Sequence, residues 1–211
     1  MSEKKPCIEG QKNGPLRVIN MERIENSKGE KIAADPPVLL CRCGESQSKP
    51  FCDGSHVKNG YTDEKSPDRR PERIRSYPGK TIIIHDNRCV CAHRGHCTDS
   101  LPAVFRLGER PWIDPDGAPP DEIARVIEMC PSGALSYSRH DEMHKNWKTE
   151  KKVIVTRDGP YDVEGGIEFR DERCNHPETT DHYTLCRCGA SENKPFCNGR
   201  HWDISFKDPK N

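Results

Sequence analysis

The residues able to do chemistry come in two matching sets. Cys41, Cys43, Cys52 and His56 are spaced C-x-C-x8-C-x3-H, and Cys186, Cys188, Cys197 and His201 repeat that spacing near the other end of the chain. The second stretch also keeps the lead-in to its third thiol, Lys49-Pro50-Phe51 recurring as Lys194-Pro195-Phe196. Three thiolates and one imidazole make a four-ligand metal site, so the pattern points to metal held twice over. Structural zinc is one occupant of such a set. A two-iron cluster, one iron on two thiolates and the other on a thiolate and the imidazole, is the alternative. Zinc motifs more often use C-x2-C knuckles than C-x-C, which favours iron.

A third set lies between them. Cys89-Val90-Cys91-Ala92-His93-Arg94-Gly95-His96-Cys97 is followed at a distance by Cys130-Pro131-Ser132-Gly133-Ala134-Leu135. Bacterial ferredoxins use C-x2-C-x2-C and a remote Cys-Pro. With Cys91 and Cys97 as the outer pair, Arg94 stands at the central position and the ligands are Cys91, Cys97 and Cys130. Three thiolates suit a 3Fe–4S cluster. A 4Fe–4S cluster, the alternative, needs a fourth ligand from Cys89, His93 or His96, which are otherwise neighbours of the cluster.

The first set, read as C-x-C-x2-S-x3-P-x-C-D-G-S-H through Cys41, Cys43, Ser46, Pro50, Cys52, Asp53, Gly54, Ser55 and His56, resembles the CDGSH iron–sulfur domain of mitoNEET-like proteins. That resemblance implies a 2Fe–2S cluster with a single His ligand near solvent. The second set departs from it at Asn198 and Arg200, neither a ligand, so a cluster is expected there too, with a potential of its own. Residues 73–140, including Leu101-Pro102-Ala103-Val104-Phe105 and the Cys130 end, resemble divergent single-cluster ferredoxin domains. Mitochondrial CDGSH proteins form two-fold dimers through intertwined strands. Two copies in one chain therefore imply an internal pseudo-dimer with the ferredoxin unit inserted.

The elements that must position these ligands are short. Leu16–Ile19 reads as a strand and Lys31–Ala34 as a weaker one. Asn13-Gly14-Pro15 is echoed by Asp158-Gly159-Pro160, and Gly14 to Cys41 and Gly159 to Cys186 are both intervals of 27 residues, so a whole domain is repeated. Pro50 suits a helix start, with Cys52 and His56 then on one helical face. Thr81–His85 and Val153–Thr156 read as strands, with Gly165–Phe169 continuing the second copy. Ile123, Val126, Ile127 and Cys130 have helical spacing on a segment that Pro131 ends. The expectation is an α+β chain of three units: CDGSH-like domains at 1–66 and 150–211, and a ferredoxin-like α+β domain at 73–140.

Composition agrees with small, metal-stapled units. Apolar residues make up 32% of 211, and mean hydropathy is −0.95, so no unit can build a large core and metal binding must contribute to folding. Thirty-four basic and thirty-four acidic residues cancel, which argues against nucleic acid or an anionic membrane as partner. No stretch approaches the length of a membrane span, and Met1–Pro6 lacks the apolar region of a signal peptide. The chain is expected to be cytoplasmic, with its twelve cysteines ligating metal rather than forming disulfides. Cys7 reads as a spectator, and Cys174 with His176 as a surface loop.

No catalytic constellation is present: there is no G-x-S-x-G, no phosphate loop and no dinucleotide fingerprint. The expectation is therefore a non-enzymatic, multi-cluster electron-transfer protein serving a redox partner protein. The alternative is cluster transfer or storage, or sensing of pH, redox state or iron. A monomer with internal pseudo-two-fold symmetry is expected, a homodimer being the alternative.

Overall fold

The structure is a computed structural model that describes residues 5–210. Met1–Lys4, the start of the first unit and of the stretch read for a signal peptide, and Asn211, the end of the last unit, lie outside it. The first unit contains β1 (Cys7–Gly10), β2 (Leu16–Ile19), β3 (Ile24–Asn26), β4 (Val38–Leu40) and a single helical turn, α1 (Ser55–Lys58). The middle unit contains β5 (Ile74–Pro78), β6 (Ile83–Asn87), a 3-10 turn at Arg88–Val90, α2 (His96–Ser100), α3 (Pro120–Ile127), β7 (Leu135–Arg139) and β8 (Glu142–His144). The last unit contains β9 (Lys152–Val155), β10 (Tyr161–Glu164), β11 (Glu168–Asp171) and β12 (His182–Leu185). The chain is β-rich, with few helices.

The outer units are built into one another. Strands β1, β2 and β4 form an antiparallel sheet whose free edge, β1, is covered in parallel by β11 from the other end of the chain, with Ile8 opposite Phe169. Strands β9, β10 and β12 form the matching sheet, and β3 covers β9 with Ile24 opposite Val153. Each unit thus lends its third strand to the other, and neither sheet leaves its first strand as an open edge. Ligand positions recur at an offset of 145 residues, Cys43 matching Cys188, and these two pair directly in an antiparallel bridge. A residue facing its own copy places an approximate two-fold axis between them. Gly44 and Gly189 make the approach possible. Both have φ near +80°, and a Cβ on either would lie 2.6 Å from the carbonyl oxygen of the other copy's Cys188 or Cys43.

The core follows this exchange. Ile8, Leu16, Val18 and Leu40 pack in one cluster with Val153, Val155, Tyr161, Val163 and Leu185. At about 1.5–3 kcal/mol per buried aliphatic side chain, each half alone would have too little to offset its chain entropy. The middle unit has its own core, in which Ile123 and Ile127 of α3 meet Ile82, Ile84, Val104 and Phe105 beneath the sheet β5-β6-β7-β8. α3 starts at Pro120 with Asp121 and Glu122 in its first turn, both favourable at a helix N-terminus.

Three local expectations are corrected. The weak strand at Lys31–Ala34 is a single bridge from Lys31 to Glu25; Ile24–Asn26 forms the strand instead, because Ile24 is the side chain that reaches the core. The strand expected at Thr81–His85 begins at Ile83, because Gly79 donates to Ile82 O (2.9 Å) and so places the preceding residues in the hairpin turn. Pro50 does not start a helix. Cys41 N donates to Pro50 O (2.8 Å) and Cys52 N to Leu39 O (2.8 Å), which hold residues 50–52 extended beside β4. In the second copy no helix spans Cys197 and His201; the segment is a series of turns.

Candidate metal centres

In the first set the chain leaves β4 extended, so Cys41 and Cys43 point one way and Arg42 the other. The two Sγ atoms are 3.6 Å apart. Arg42 is buried and donates through Nε to Gly14 O (2.7 Å), through Nη2 to Gln11 O, and to Asp63 at 3.3 Å. The tight Asn13-Gly14 turn is thereby fastened to the ligand loop. Cys52 Sγ and His56 Nδ1 form the second pair, 3.4 Å apart. Asp53 accepts from the amides of Ser55 (3.0 Å) and Gln47 (2.8 Å), and hydrogen bonds from Ser55 and then Gln47 hold its carboxyl well below the usual carboxylate range. Asp53 therefore shapes the loop. It is the Gly54 amide that approaches a sulfur, Cys52 Sγ, at 3.5 Å.

The second set repeats this geometry in deeper surroundings. Cys186 and Cys188 are 3.9 Å apart, and Cys197 Sγ and His201 Nδ1 3.6 Å apart. The Gly199 amide donates to Cys197 Sγ at 3.4 Å. Arg187, buried like Arg42, donates to Gly159 O (2.8 Å), Thr156 O (2.6 Å) and Asp208. His56 is half-buried, whereas His201 is 3% exposed, and its buried Nε2 has no hydrogen-bond partner. Burial, with Arg94 and His93 adding to it, lowers the His201 imidazole to about 4. Tyr161 of the second copy crosses to the first site, where its hydroxyl donates to Cys41 O (2.8 Å) and Pro50 O (3.1 Å).

Two thiolates on one tetrahedral metal with bonds of about 2.3 Å sit about 3.7 Å apart. The observed pairs match that spacing, so each is preset to chelate one ion. Among the described residues no three His, Cys, Asp or Glu side chains converge on a single ion. Each outer set comprises one Cys–Cys and one Cys–His pair. Burial pushes the Cys41 thiol up to about 11, and a bound cation supplies the charge that makes it a thiolate.

In the middle unit the 3-10 turn presents Cys91, α2 presents Cys97, and the residues just past α3 present Cys130. All three line one cavity of about 520 Å³. Burial raises Cys91 and Cys97, to about 12 and about 11. Arg88 offers Nη1 to Cys91 Sγ at 3.7 Å while lying over the Trp112 ring at 4.2 Å. Ser132 Oγ is 3.6 Å from Cys130 Sγ. Cys89, His93 and His96 also line the cavity, but the Cys89 thiol donates to Arg70 O at 3.4 Å. Arg94, at the vacant ferredoxin position, reaches out of the unit: a Cβ on Gly159 would lie 3.0 Å from its Nη1. The buried polar atoms around the middle and C-terminal sets thus include donors suited to sulfur-rich anionic groups.

The remaining histidines serve other purposes. His85 bridges Ser76 and Ser138, His144 stacks on Tyr137 at 4.7 Å, and buried His182 bonds Asp181 at 2.6 Å. Cys174 and His176 are exposed in a loop, and Cys7 is buried in β1. All twelve cysteines are free of disulfides. Sequence reasoning missed Arg42, Arg187 and Tyr161. The Cys-Arg-Cys shared by both copies, at constant distance from a repeated Gly-Pro turn, was the available signal for the arginines; Tyr161 has Leu16 as its counterpart and left none.

Comparison with known proteins agrees with this arrangement. The family model described as "Iron-binding zinc finger CDGSH type" matches residues 13–57 and 158–202, and the one described as "Divergent 4Fe-4S mono-cluster" matches residues 77–140. The uncharacterized protein YjdI of Escherichia coli, in strains K12 and O157:H7 alike, is 41% identical over 66 residues, which is 31% of this chain and 86% of YjdI. No solved structure matches. Among the described residues no helix is long and apolar enough to cross a membrane. With its ligand pairs in place and both models matched around them, the chain is an iron–sulfur protein and belongs to the CDGSH iron-binding family, two such domains flanking a divergent 4Fe–4S domain.

Proposed function

We propose that this protein is a non-enzymatic one-electron carrier with three iron–sulfur centres. Cys41, Cys43, Cys52 and His56 hold one 2Fe–2S cluster, and Cys186, Cys188, Cys197 and His201 the other. Cys91, Cys97 and Cys130 hold the third within a ferredoxin-like α+β unit. The family description supports a four-iron form there; a three-iron form is the alternative on three thiolates. The observation that carries the reading is proximity: the cavity at Cys91, Cys97 and Cys130 is walled on one side by Asn198, Gly199 and Trp202 of the second motif. A cluster donor has no need of such an arrangement, whereas a relay does. When bound, the clusters supply the redox change; the chain's residues fix their spacing and limit water. The neutral imidazole makes the oxidised site less negative than a fourth thiolate would, which favours accepting an electron.

The test is low-temperature EPR of anaerobically purified protein, untreated and after dithionite, with iron and zinc analysis. Two reduced 2Fe–2S signals beside a third cluster signal are expected. A signal in untreated protein that disappears on reduction identifies the three-iron form, and one that appears only on reduction the four-iron form. Zinc without iron overturns the reading. Cluster transfer is the second reading, and the half-exposed His56 favours it; loss of the first cluster to an apo-ferredoxin, faster than its spontaneous decay, would establish it.

A further inference from the structure

Because the two Cys3His motifs are copies, a position covered in one and bare in the other marks what else is built against it. Gly54 and Gly199 hold the same place, with φ of 85° and 86°. A Cβ on Gly54 would meet nothing within 4 Å, but on Gly199 it would meet the His93 ring, Cδ2 at 2.6 Å and Cγ at 2.8 Å. The substitutions nearby follow the same division. Val57 of the first copy and its counterpart Trp202 are both exposed, 76% and 61%, but Trp202 also donates through Nε1 to His93 O at 3.0 Å. Arg200, in the place of Ser55, lines the cavity that holds Cys91, Cys97 and Cys130. Asn193 donates to Cys89 O at 3.1 Å. The second motif departs from the first where it meets the middle unit.

His93 is well placed to do more than pack. It stands two residues after Cys91 and lines the same cavity, its ring lies against Gly199, and the Gly199 amide donates to Cys197 Sγ at 3.4 Å. The backbone from Cys91 to His93, the contact of His93 with Gly199 and the Gly199 hydrogen bond together lead from the middle set to the C-terminal set. We infer that His93 is the coupling residue between these two sets, so that the C-terminal set is the junction of the relay and the N-terminal set is reached from it, across the Cys43–Cys188 bridge. This rests on the electron-carrier reading. The step it serves moves one electron from the reduced middle centre to the oxidised C-terminal centre, supplied from outside by a one-electron reductant, with no bond made or broken.

The full chain carrying its clusters tests it in two ways. In the native protein, reduction of the middle centre should enhance spin relaxation of one 2Fe–2S signal strongly and the other weakly. The strongly affected signal should be the one lost in Cys197→Ser and kept in Cys52→Ser. In His93→Leu, freeze-quench EPR after mixing with substoichiometric dithionite should show redistribution between the two centres slowed by an order of magnitude or more. Iron content, unfolding temperature and the relaxation effect, which reports distance alone, should be unchanged. Val57→Ala, at an exposed position of the first copy, should leave the rate as it is. Equal relaxation of both 2Fe–2S signals, or unaltered redistribution in His93→Leu with three centres present, would overturn the inference and leave the carrier reading standing. Absence of clusters would overturn both. Should His93→Leu lose iron, His93→Gln takes its place in the redistribution measurement, and an unaltered rate there overturns the inference.

Discussion

Cys43 and Cys188 pair with each other through their backbones across the approximate two-fold axis, so a ligand of each outer set rests on its own copy. Gly44 and Gly189, which follow them, have no room for a side chain. Gly44→Ala or Gly189→Ala combines a backbone clash with an unfavourable positive φ, and should destabilise the protein by about 3 kcal/mol or more. Iron should be lost from both outer sites together. Gly54→Ala has free space and only the φ cost, about 1–2 kcal/mol. Thermal unfolding with iron analysis compares them, and equal effects would remove the two-fold contact from the account.

Acid should reach the two imidazole ligands in a fixed order. A metal-bound imidazole nitrogen is lost when a proton takes its place. His56 is half-buried, whereas His201 is sealed in, with burial disfavouring its charged form. Titration downward in pH should bleach the visible absorbance in two steps, the first leaving the signal that Cys52→Ser retains. A single step, or the reverse order, contradicts the burial argument.

Asp86, which is not itself a candidate ligand, adds a pH dependence of its own. Burial raises its carboxyl to about 6, only partly offset by Arg88 and by the Trp112 N–H at 3.0 Å. The folded state therefore binds more protons than the unfolded one between pH about 4 and about 6, and this contribution to stability falls as pH rises through that window and levels off above it. Asp86→Asn can still accept from Trp112. Relative to the native protein it should gain on the order of 2 kcal/mol at pH 8 and little at pH 4.5. The difference in unfolding temperature across that range checks the sign.

Arg187 should be costly to remove although it is no ligand. It and Asp208 are 1% and 0% exposed, and two backbone carbonyls depend on it. Arg187→Met should destabilise by about 3–5 kcal/mol. Tyr161→Phe, which removes the hydroxyl shared by Cys41 O and Pro50 O and leaves Pro50 O the Cys41 amide, should cost about 1–2 kcal/mol. Its particular signature is faster cluster loss from the N-terminal site, although the residue belongs to the C-terminal unit. Chelator-driven bleaching followed by EPR reads this directly.

The candidate ligand sets were readable because metal geometry demands particular residue types at particular intervals, and repetition argued against accident. The strand at Leu16–Ile19 was legible from β-branched and aliphatic residues in sequence. Exchange of β3 and β11 between units was not, since a three- or four-residue strand carries no mark of which partner it will join. Nor was the contact of His93 with Gly199, although Asn198, Arg200 and Trp202 recorded it as departures from the first motif. Pro50 misled because a proline suited to a helix start suits an extended turn equally well, and only the amides of Cys41 and Cys52 decide between them.

Exchange of β3 and β11 also governs when the protein can be finished. A ribosome releases the first unit long before β11 exists, so β1 waits with an unpaired edge and Leu16 and Leu40 without most of their packing. The middle unit draws its strands and helices from one contiguous stretch and can close meanwhile. A chain truncated before β11 therefore leaves the strand that leads into the first Cys3His unit with an open edge, free to be covered by a second copy instead.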